Sequence, residues 1–267
     1  HIGGIYRDRN PDVRPGETYK AVTVRRREDR SHYIRGFTSN DGLNWHIVDR
    51  DPLLVAPRDD WPIFDGEAAV FWDTVQEEYV GYFRGWEPAR GGTYSDLREG
   101  VRSIRRSTST DFREWSELQF IDMGDSTQEH LYKHTCEPYF RAPHIYLMFP
   151  WRFVPGRRFD PDWPNHGISE TVFMSSRDGI HFDRRFMEAF VRPGPDPLNW
   201  GDRSNMMSSG VVQTGSAELS VYYSEHYRSP TCRLRRATLR IDGFVSVNAS
   251  YAGGELTTRP LTFEGGE

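Results

Sequence analysis

Apolar and polar residues alternate with a period of two in several short segments of this 267-residue chain. The clearest cases are Tyr79–Phe83, Ile145–Phe149 and Leu219–Tyr223, whose aromatic and β-branched residues favour strands. Clusters of Asn, Gly, Asp and Pro separate the segments, as turns require. No long segment has the 3.6-residue period of an amphipathic helix. The pattern therefore predicts an all-β chain.

A short motif recurs along the chain and divides it into repeats. Each copy has Ser and Asp two residues apart, and an aromatic residue four positions after the Asp: Ser39–Trp45, Ser109–Trp115 and Ser176–Phe182. The copies lie 70 and 67 residues apart, and a weaker echo, Asp242–Phe244, follows. A fixed period of this length in a β-rich chain indicates a β-propeller, with one four-stranded blade per repeat. Each Asp is expected to accept backbone N–H bonds, which is a structural role.

The prediction is a single propeller domain over residues 1–267, with repeats of roughly 1–60, 61–130, 131–200 and 201–267. The strands predicted in the first two repeats are Gly4–Asp8, Tyr19–Arg25, His32–Thr38, His46–Asp49, Ala68–Asp73, Glu78–Trp86, Val101–Thr108 and Leu118–Met123. Those in the last two are Glu137–Arg141, Ile145–Phe153, Glu170–Ser175, Met187–Val191, Ser208–Thr214, Leu219–His226, Cys232–Arg240 and Phe244–Asn248. Two alternatives stay open: four blades, or five with one blade incomplete or outside the chain.

Composition narrows the classes of partner. The net charge of −5 gives no case for nucleic acid or an anionic membrane surface. No apolar run approaches the roughly 18 residues of a membrane span, so no membrane partner is expected. Aromatic residues make up 14% of the chain, which suits a β protein with a sugar or an aromatic ligand. The two cysteines neither require nor exclude a disulfide, so the compartment stays open, as does the oligomeric state.

Acidic residues recur at the predicted inner strands, which a propeller gathers around one axis. They are Asp8, Asp65, Glu67, Glu137 and Asp202. Carboxyl groups held near one another acquire different pKa values, so one donates a proton while another stays charged. A pair of this kind is the machinery of glycoside hydrolysis, in which an acid protonates the leaving oxygen and a base or nucleophile acts opposite.

Three features resemble the propeller glycosidases of glycoside hydrolase families 43 and 32, the arabinofuranosidase, xylosidase and invertase type. Glu137–Phe149 is similar to the family strand pair that begins with the general-acid Glu. Glu67–Asp73 is similar to the second-blade strand, although the family has an Asp where this chain has Glu67. The Ser-x-Asp turns are similar to the family's third-strand ending. The resemblance implies that Glu137 is the general acid. It implies that Asp65 or Glu67 tunes the pKa of this acid and holds the sugar, and that Asp8 is the base or nucleophile.

Further side chains are candidates for substrate binding. A His could orient the acid or bind a hydroxyl, an Arg could clamp a carboxylate or hydroxyl, and a Trp could stack on a sugar ring. The candidates are His134, His226, Arg141, Arg152, Arg203, Asp202, Trp86 and Trp151. Three long loops rich in Gly, Pro, Arg and Asp are expected to form binding rims: Trp86–Gly100, Phe153–Gly167 and Arg192–Arg203.

Other chemistries fit the sequence less well. It has no Cys-x-x-Cys pair and no His-Glu-x-x-His motif for zinc, no Gly-x-Ser-x-Gly turn, and no phosphate or dinucleotide loop. We therefore expect no cofactor, with Ca²⁺ on the axis left open. The leading hypothesis is a glycosidase acting on a plant or microbial oligo- or polysaccharide. The alternatives are a carbohydrate-binding propeller without catalysis, and a sialidase-like enzyme, which would need three arginines and a tyrosine nucleophile in the funnel.

Overall fold

The computed structural model describes residues 2–29, 31–56, 64, 68–89, 100–163, 165–258, 260 and 262. Apart from one turn of 3-10 helix, Pro197–Asn199, the regular elements of these residues are β-strands. The strands pair antiparallel and form successive sheets along the chain, as propeller blades do. The described residues contain no helix long and apolar enough to cross a membrane. The prediction of an all-β fold is confirmed.

Blade I runs β1-β2-β3-β4 from the inner strand outward, and β5 also pairs with β3. Its strands are β1 (Ile2–Arg7), β2 (Tyr19–Arg26), β3 (His32–Ser39), β4 (His46–Ile47) and β5 (Leu54–Val55). Alternate residues of β2 and β3 point to one face, where Val22 and Ile34 are each only 1% exposed. That face packs against blade II, so the period of two in the sequence reflects one buried side of the sheet.

Blade II runs β6-β7-β8-β9. Its strands are β6 (Ala69–Asp73), β7 (Glu78–Pro88), β8 (Gly100–Ser109) and β9 (Gln119–Phe120). Tyr79 and Phe83 lie on one face of β7 and pack in the core shared with blade I. Val80 and Tyr82 lie on the other face and pack in the core shared with blade III. Both faces of β7 are buried, so Tyr79–Phe83 is a continuous apolar run and the alternation of apolar and polar residues expected there is wrong.

Blade III is split into two sheets, with orders β11-β12-β15-β16 and β10-β13-β14-β17. Its strands are β10 (His130–Leu131), β11 (Cys136–Tyr139), β12 (Ala142–Met148), β13 (Trp151–Val154), β14 (Ile168–Val172), β15 (Met174–Ser176), β16 (Phe182–Asp183) and β17 (Ala189–Val191). The predicted strand Ile145–Phe153 is therefore interrupted at Phe149 and Pro150. Pro150 has no N–H to donate to a ladder, so the break falls where the sequence cannot continue regular pairing.

Blade IV has three strands, β18 (Val212–Gly215), β19 (Glu218–Glu225) and β20 (Arg233–Arg240). The prediction of a fourth strand at Phe244–Asn248 is wrong. Phe244 packs in the core shared with blade III, but Val245 and Val247 are 42% and 65% exposed, and the segment joins no described sheet. The side chains of Val245 and Val247 are not buried against another sheet, so packing does not favour a strand there.

The Ser-x-Asp turns have the structural role predicted for them. In the first copy, Asp41 Oδ1 accepts the backbone N–H groups of Leu43 and Asn44, both at 2.8 Å. Ser39 Oγ donates to the same oxygen, and these hydrogen bonds hold the pKa of Asp41 well below its usual range. Asp111 and Asp178 repeat the arrangement. The motif closes the turn at the end of the third strand.

Three apolar cores lie between consecutive blades: I and II, II and III, and III and IV. Their central residues, Phe112, Met148 and Leu219, are each 0% exposed. Within the described ranges, no fourth core joins blade IV to blade I. The consecutive packing leaves the inner strands of the four blades around a common axis.

Candidate functional site

The inner ends of all four blades surround a cavity of about 760 Å³, the central cavity. Blade I contributes Tyr6–Arg9, blade II Phe71 and Trp72, blade III Glu137–Phe140, and blade IV Val211–Gln213. The prediction that a propeller brings the inner strands to one funnel is therefore confirmed for these segments. Two of the predicted acidic residues, Asp8 and Glu137, belong to its wall.

Glu137 is the second residue of β11, opposite Leu147 in the ladder, and lines the central cavity. Its Oε1 accepts the backbone N–H of Val211 in blade IV at 2.7 Å. Burial raises the pKa of the Glu137 carboxyl, while the Val211 N–H and the charge of Arg9 act in the opposite direction. Glu137 therefore keeps its proton at a higher pH than an ordinary glutamate.

Asp8 follows β1, and its carboxylate is 0% exposed. One oxygen accepts the backbone N–H of Asn10 at 2.9 Å, and the other accepts the Tyr79 hydroxyl at 2.7 Å. The ammonium of Lys20, itself 1% exposed, lies 3.2 Å from that second oxygen. Both oxygens of Asp8 are thus engaged inside the protein.

The contact between Asp8 and Tyr79 recurs one blade later. Asp73, at the end of the inner strand of blade II, accepts a hydrogen bond from the hydroxyl of Tyr146 in blade III. In each case an Asp at the end of one inner strand holds a Tyr on the second strand of the next blade. We call this pair the inter-blade latch. The two Asp residues are 65 positions apart and the two Tyr residues are 67 positions apart, close to the repeat period. This spacing was the sequence signal for the inter-blade latch.

Asp65 and Glu67, the candidates for a second acid in blade II, lie outside the described residues. Asp202 and Arg203 line a separate cavity of about 250 Å³ together with Arg228. Asp202 does not share the central cavity with Glu137, so the expectation that all the acids converge on one funnel is wrong for Asp202. Asp202 precedes β18 by ten residues. A segment of this length allows Asp202 to lie outside the central cavity.

The two candidate histidines are held by protein contacts. His134 is 2% exposed, and its Nε2 lies 2.5 Å from the carbonyl oxygen of Tyr82. Burial lowers the pKa of His134 to about 4, so it is neutral at physiological pH. The ring nitrogens of His226 lie 2.8 Å from Asp196 and 2.8 Å from Thr231. Their roles in binding substrate stay predictions.

The candidate arginines Arg141 and Arg152 are engaged in ion pairs. Arg152 bridges the carboxylates of Glu129 and Glu170, which are 11% and 4% exposed at their side chains. Arg141 is half exposed and lies 3.3 Å from Asp242. The Arg152 contacts are those of a buried structural network, whereas Arg141 lies at the surface.

The candidate tryptophans lie beside cations. The indole N–H of Trp151 donates to the carbonyl oxygen of Met207 at 2.9 Å, and the ammonium of Lys133 lies 4.3 Å from its ring. The guanidinium of Arg102 lies 4.8 Å from the Trp86 ring. Both rings are therefore partly covered by neighbouring side chains.

Sequence reasoning missed the aromatic wall of the central cavity, which includes Tyr6, Trp72 and Tyr139. The hydroxyl of Tyr6 is buried and has no hydrogen-bond partner among the described residues. The aromatic residues near the ends of the inner strands were the available sequence signal. The described lining contains two arginines, Arg7 and Arg9, where a sialidase-like site would need three. Among all the residues that the structure describes, no group of three or more His, Cys, Asp or Glu side chains is arranged to hold a metal ion.

Comparison with known proteins concerns the fold. No protein-family model matches the chain, and no curated protein matches it in sequence. Among solved structures it is similar to β-1,2-mannobiose phosphorylase from Listeria innocua, with a TM-score of 0.57 and 14% identity over 87% of this chain and 57% of that one. It is also similar to an N-acetylgalactosamine deacetylase from F. plautii, with a TM-score of 0.55 and 12% identity over 83% of this chain and 69% of that one.

A third similar structure is an α-L-arabinofuranosidase from Fusarium graminearum, with a TM-score of 0.50 and 12% identity over 89% of this chain and 76% of that one. The match thus spans between 57% and 76% of the length of these three structures. At such identities the likeness shows the fold. The chain therefore has a β-propeller fold similar to that of these structures.

Proposed function

We propose that this chain is a carbohydrate-active enzyme that cleaves the glycosidic bonds of an oligo- or polysaccharide in the central cavity. The observation that carries the proposal is the position of Glu137, a carboxyl with a raised pKa on the wall of a cavity formed by four blades. A protonated carboxyl in such a place is what the departure of a glycosidic oxygen requires. The fold, shared with carbohydrate-active enzymes, agrees with this assignment.

Glu137 acts as the proton donor in this proposal. Its Oε1 accepts the Val211 N–H, so the acidic proton resides on Oε2 and is available to a leaving oxygen. Because burial is the largest cause of the raised pKa, the carboxyl is protonated at a pH where exposed carboxylates are charged. Phe71 and the exposed ring of Phe140 on the same wall offer apolar faces to sugar rings.

The reaction also needs a second carboxylate, as base or nucleophile. The candidates from the sequence are Asp8, Asp65 and Glu67. The carboxylate of Asp8 is fully buried and bound by Tyr79 and Lys20, which argues for a structural role. We therefore place the second carboxylate at Asp65 or Glu67, to be tested by replacing each with its amide.

The test is the cleavage of a panel of aryl glycosides and plant or microbial polysaccharides, with and without inorganic phosphate. Phosphate is included because one structure of similar fold is a phosphorylase. Glu137→Gln should lower kcat on any cleaved substrate by about 10²–10⁴-fold, the usual contribution of general acid catalysis. Glu114→Gln, whose side chain is 71% exposed on blade II, is the matched control and should keep full activity.

Full activity of a folded Glu137→Gln variant would exclude Glu137 as the proton donor. If the wild-type chain binds sugars from the panel but cleaves none, the protein is a carbohydrate-binding propeller instead. A further readout separates the acid from a merely structural residue. The loss of wild-type activity at high pH should follow the raised pKa of Glu137, and leaving groups that need no proton should restore the activity of Glu137→Gln.

A further inference from the structure

Two of the long loops, Phe153–Gly167 and Arg192–Arg203, build two small cavities away from the central one. The arginine cavity, of about 250 Å³, contains His166, Asp202, Arg203 and Arg228. The aromatic cavity, of about 280 Å³, contains Phe159, Trp163 and Trp200. Gly201 lines the aromatic cavity and the next residue, Asp202, lines the arginine cavity. Consecutive Cα atoms are about 3.8 Å apart, so the two cavities meet at the peptide that joins these residues.

The arginine cavity holds more positive than negative charge. Nε of Arg228 lies 3.1 Å from Asp202, and Nε of Arg203 lies 3.7 Å from the same carboxylate. Two guanidinium groups therefore share one carboxylate. The side chains of Arg203 and Arg228 are 41% and 37% exposed, and each guanidinium has five N–H donors, so both can donate to an acceptor from outside. A planar guanidinium matches the two oxygens of a carboxylate.

The loop that carries Arg203 is fixed by hydrogen bonds before any ligand arrives. The backbone N–H of Arg203 donates to Ser169 Oγ at 3.0 Å, and its carbonyl oxygen accepts from Ser224 Oγ at 3.2 Å. Ser204 Oγ accepts the N–H of Tyr227 at 3.0 Å and so ties this loop to the loop that carries Arg228. The two arginines are thus held at a set separation, which lowers the cost of ordering them around a ligand.

The backbone of the same two loops is strained. Arg203, Asn205, His226 and Arg228 all have positive φ, between 54° and 66°. Residues with side chains rarely adopt this conformation, and a structure keeps it only where surrounding contacts enforce it. Backbone strain of this kind concentrates at sites that hold ligands. Four such residues in these two loops therefore indicate that the positions of the arginine side chains are fixed for binding.

The aromatic cavity presents ring faces at the surface. Phe159 is 54% exposed and lies 5.5 Å from the Trp200 ring, centroid to centroid. The indole of Trp163 packs against Gly201, where a Cβ atom would come within 3.3 Å of the ring. Exposed aromatic rings beside a polar site suit a ligand that has both apolar faces and polar edges, as a sugar ring does.

We propose that the arginine and aromatic cavities together form a binding surface for an acidic oligosaccharide. Arg203 and Arg228 bind the carboxylate of a uronic acid unit, and the aromatic cavity stacks a neighbouring sugar ring. The surface lies outside the central cavity and needs no catalysis by Glu137. Binding can therefore be measured whether or not the chain cleaves any substrate.

The test is isothermal titration calorimetry of the whole chain with trigalacturonic acid, with its methyl ester and with inorganic phosphate. The ester has the same rings without the charge, so the free acid should bind about 10- to 100-fold more tightly, the value of one charge-assisted hydrogen bond. Arg203→Gln should lose most of that preference, and Arg203→Gln combined with Arg228→Gln should abolish it. Phe159→Ala should weaken the binding of acid and ester by similar factors, because it removes stacking and no charge.

Arg50→Gln is the matched control, since Arg50 is 55% exposed, pairs with Glu114 and lies on blade I. It should bind like the wild type. If Arg203→Gln does not fold, Arg203→Lys keeps the charge without the planar fork and should lose most of the preference. Equal binding of acid and ester, or an unchanged preference in the folded Arg203 variant, would overturn the proposal. Binding of phosphate without binding of the uronate would also overturn it and assign the arginines to phosphate.

Discussion

The replacement Asp8→Asn tests whether Asp8 holds the blades together or takes part in chemistry. The change keeps the size of the side chain and removes its charge. Asp8 is 0% exposed, and its partner Lys20 is 1% exposed, so neither group can regain water when the pair is broken. We expect the variant to be less stable but to keep its activity per folded molecule.

The magnitude follows from the partners that remain. Removing one partner of a buried ion pair typically costs about 3–5 kcal/mol. Lys20 keeps Glu17 at 3.0 Å, and the amide oxygen of the introduced asparagine can still accept the Tyr79 hydroxyl. The expected loss of unfolding free energy therefore lies at the low end, about 3 kcal/mol. For a chain of this size that corresponds to a fall in Tm of about 6–12 °C.

Urea unfolding and thermal melts of the wild type and the variant measure this loss. Asp12→Asn, an exposed aspartate in the loop after β1, is the matched control and should change stability by less than about 0.5 kcal/mol. Equal stability of the Asp8 and Asp12 variants would refute the reasoning from burial. A folded Asp8→Asn variant that loses more than about 100-fold in kcat would assign Asp8 to catalysis.

Two further predictions concern buried titratable groups. Burial lowers the pKa of His134 to about 4, so the unfolded chain takes up a proton at this residue before the folded chain does as the pH falls below about 6.5. The free energy of unfolding should therefore drop by about 3 kcal/mol between pH 6.5 and 4. Urea unfolding of His134→Gln should lack this share of the drop. Arg152→Met leaves Glu129 and Glu170 short of a partner and should cost about 3 kcal/mol in urea unfolding, whereas Arg185→Met, whose side chain is 75% exposed, should cost almost nothing.

The sequence predicted the second and third strands of blades I and II closely because their determinants are local. The strand expected at Tyr19–Arg25 is observed as Tyr19–Arg26, and the one expected at Val101–Thr108 is observed as Gly100–Ser109. Alternating side chains bury one or both faces of a strand, and a shift by one residue would expose them. The Ser-x-Asp turns fix the ends of the third strands by hydrogen bonds within a few residues.

The errors occur where the outcome depends on contacts distant in sequence. The segment Phe244–Asn248 has the composition of a strand, but Val245 and Val247 find no layer to pack against. In blade III the apolar run continues through Phe149 and Pro150, yet the Trp151 N–H donates to the carbonyl oxygen of Lys133 and the strand changes partners. Period and propensity do not contain this information, because a strand forms only where a neighbour accepts its hydrogen bonds.

The site was predictable only to the extent that the repeat placed acids on inner strands. That reasoning brought Asp8 and Glu137 to one cavity but could not distinguish their environments. Asp8 meets a hydroxyl and an ammonium that fix it as part of a latch, and the same latch at Asp73 and Tyr146 shows that its position follows from the repeat. Glu137 has no such counterpart among the described latches, and its hydrogen bond within the described part of the chain comes from the backbone of the next blade. The repeated scheme does not explain an acid at this position, and this supports the proposal that Glu137 takes part in chemistry.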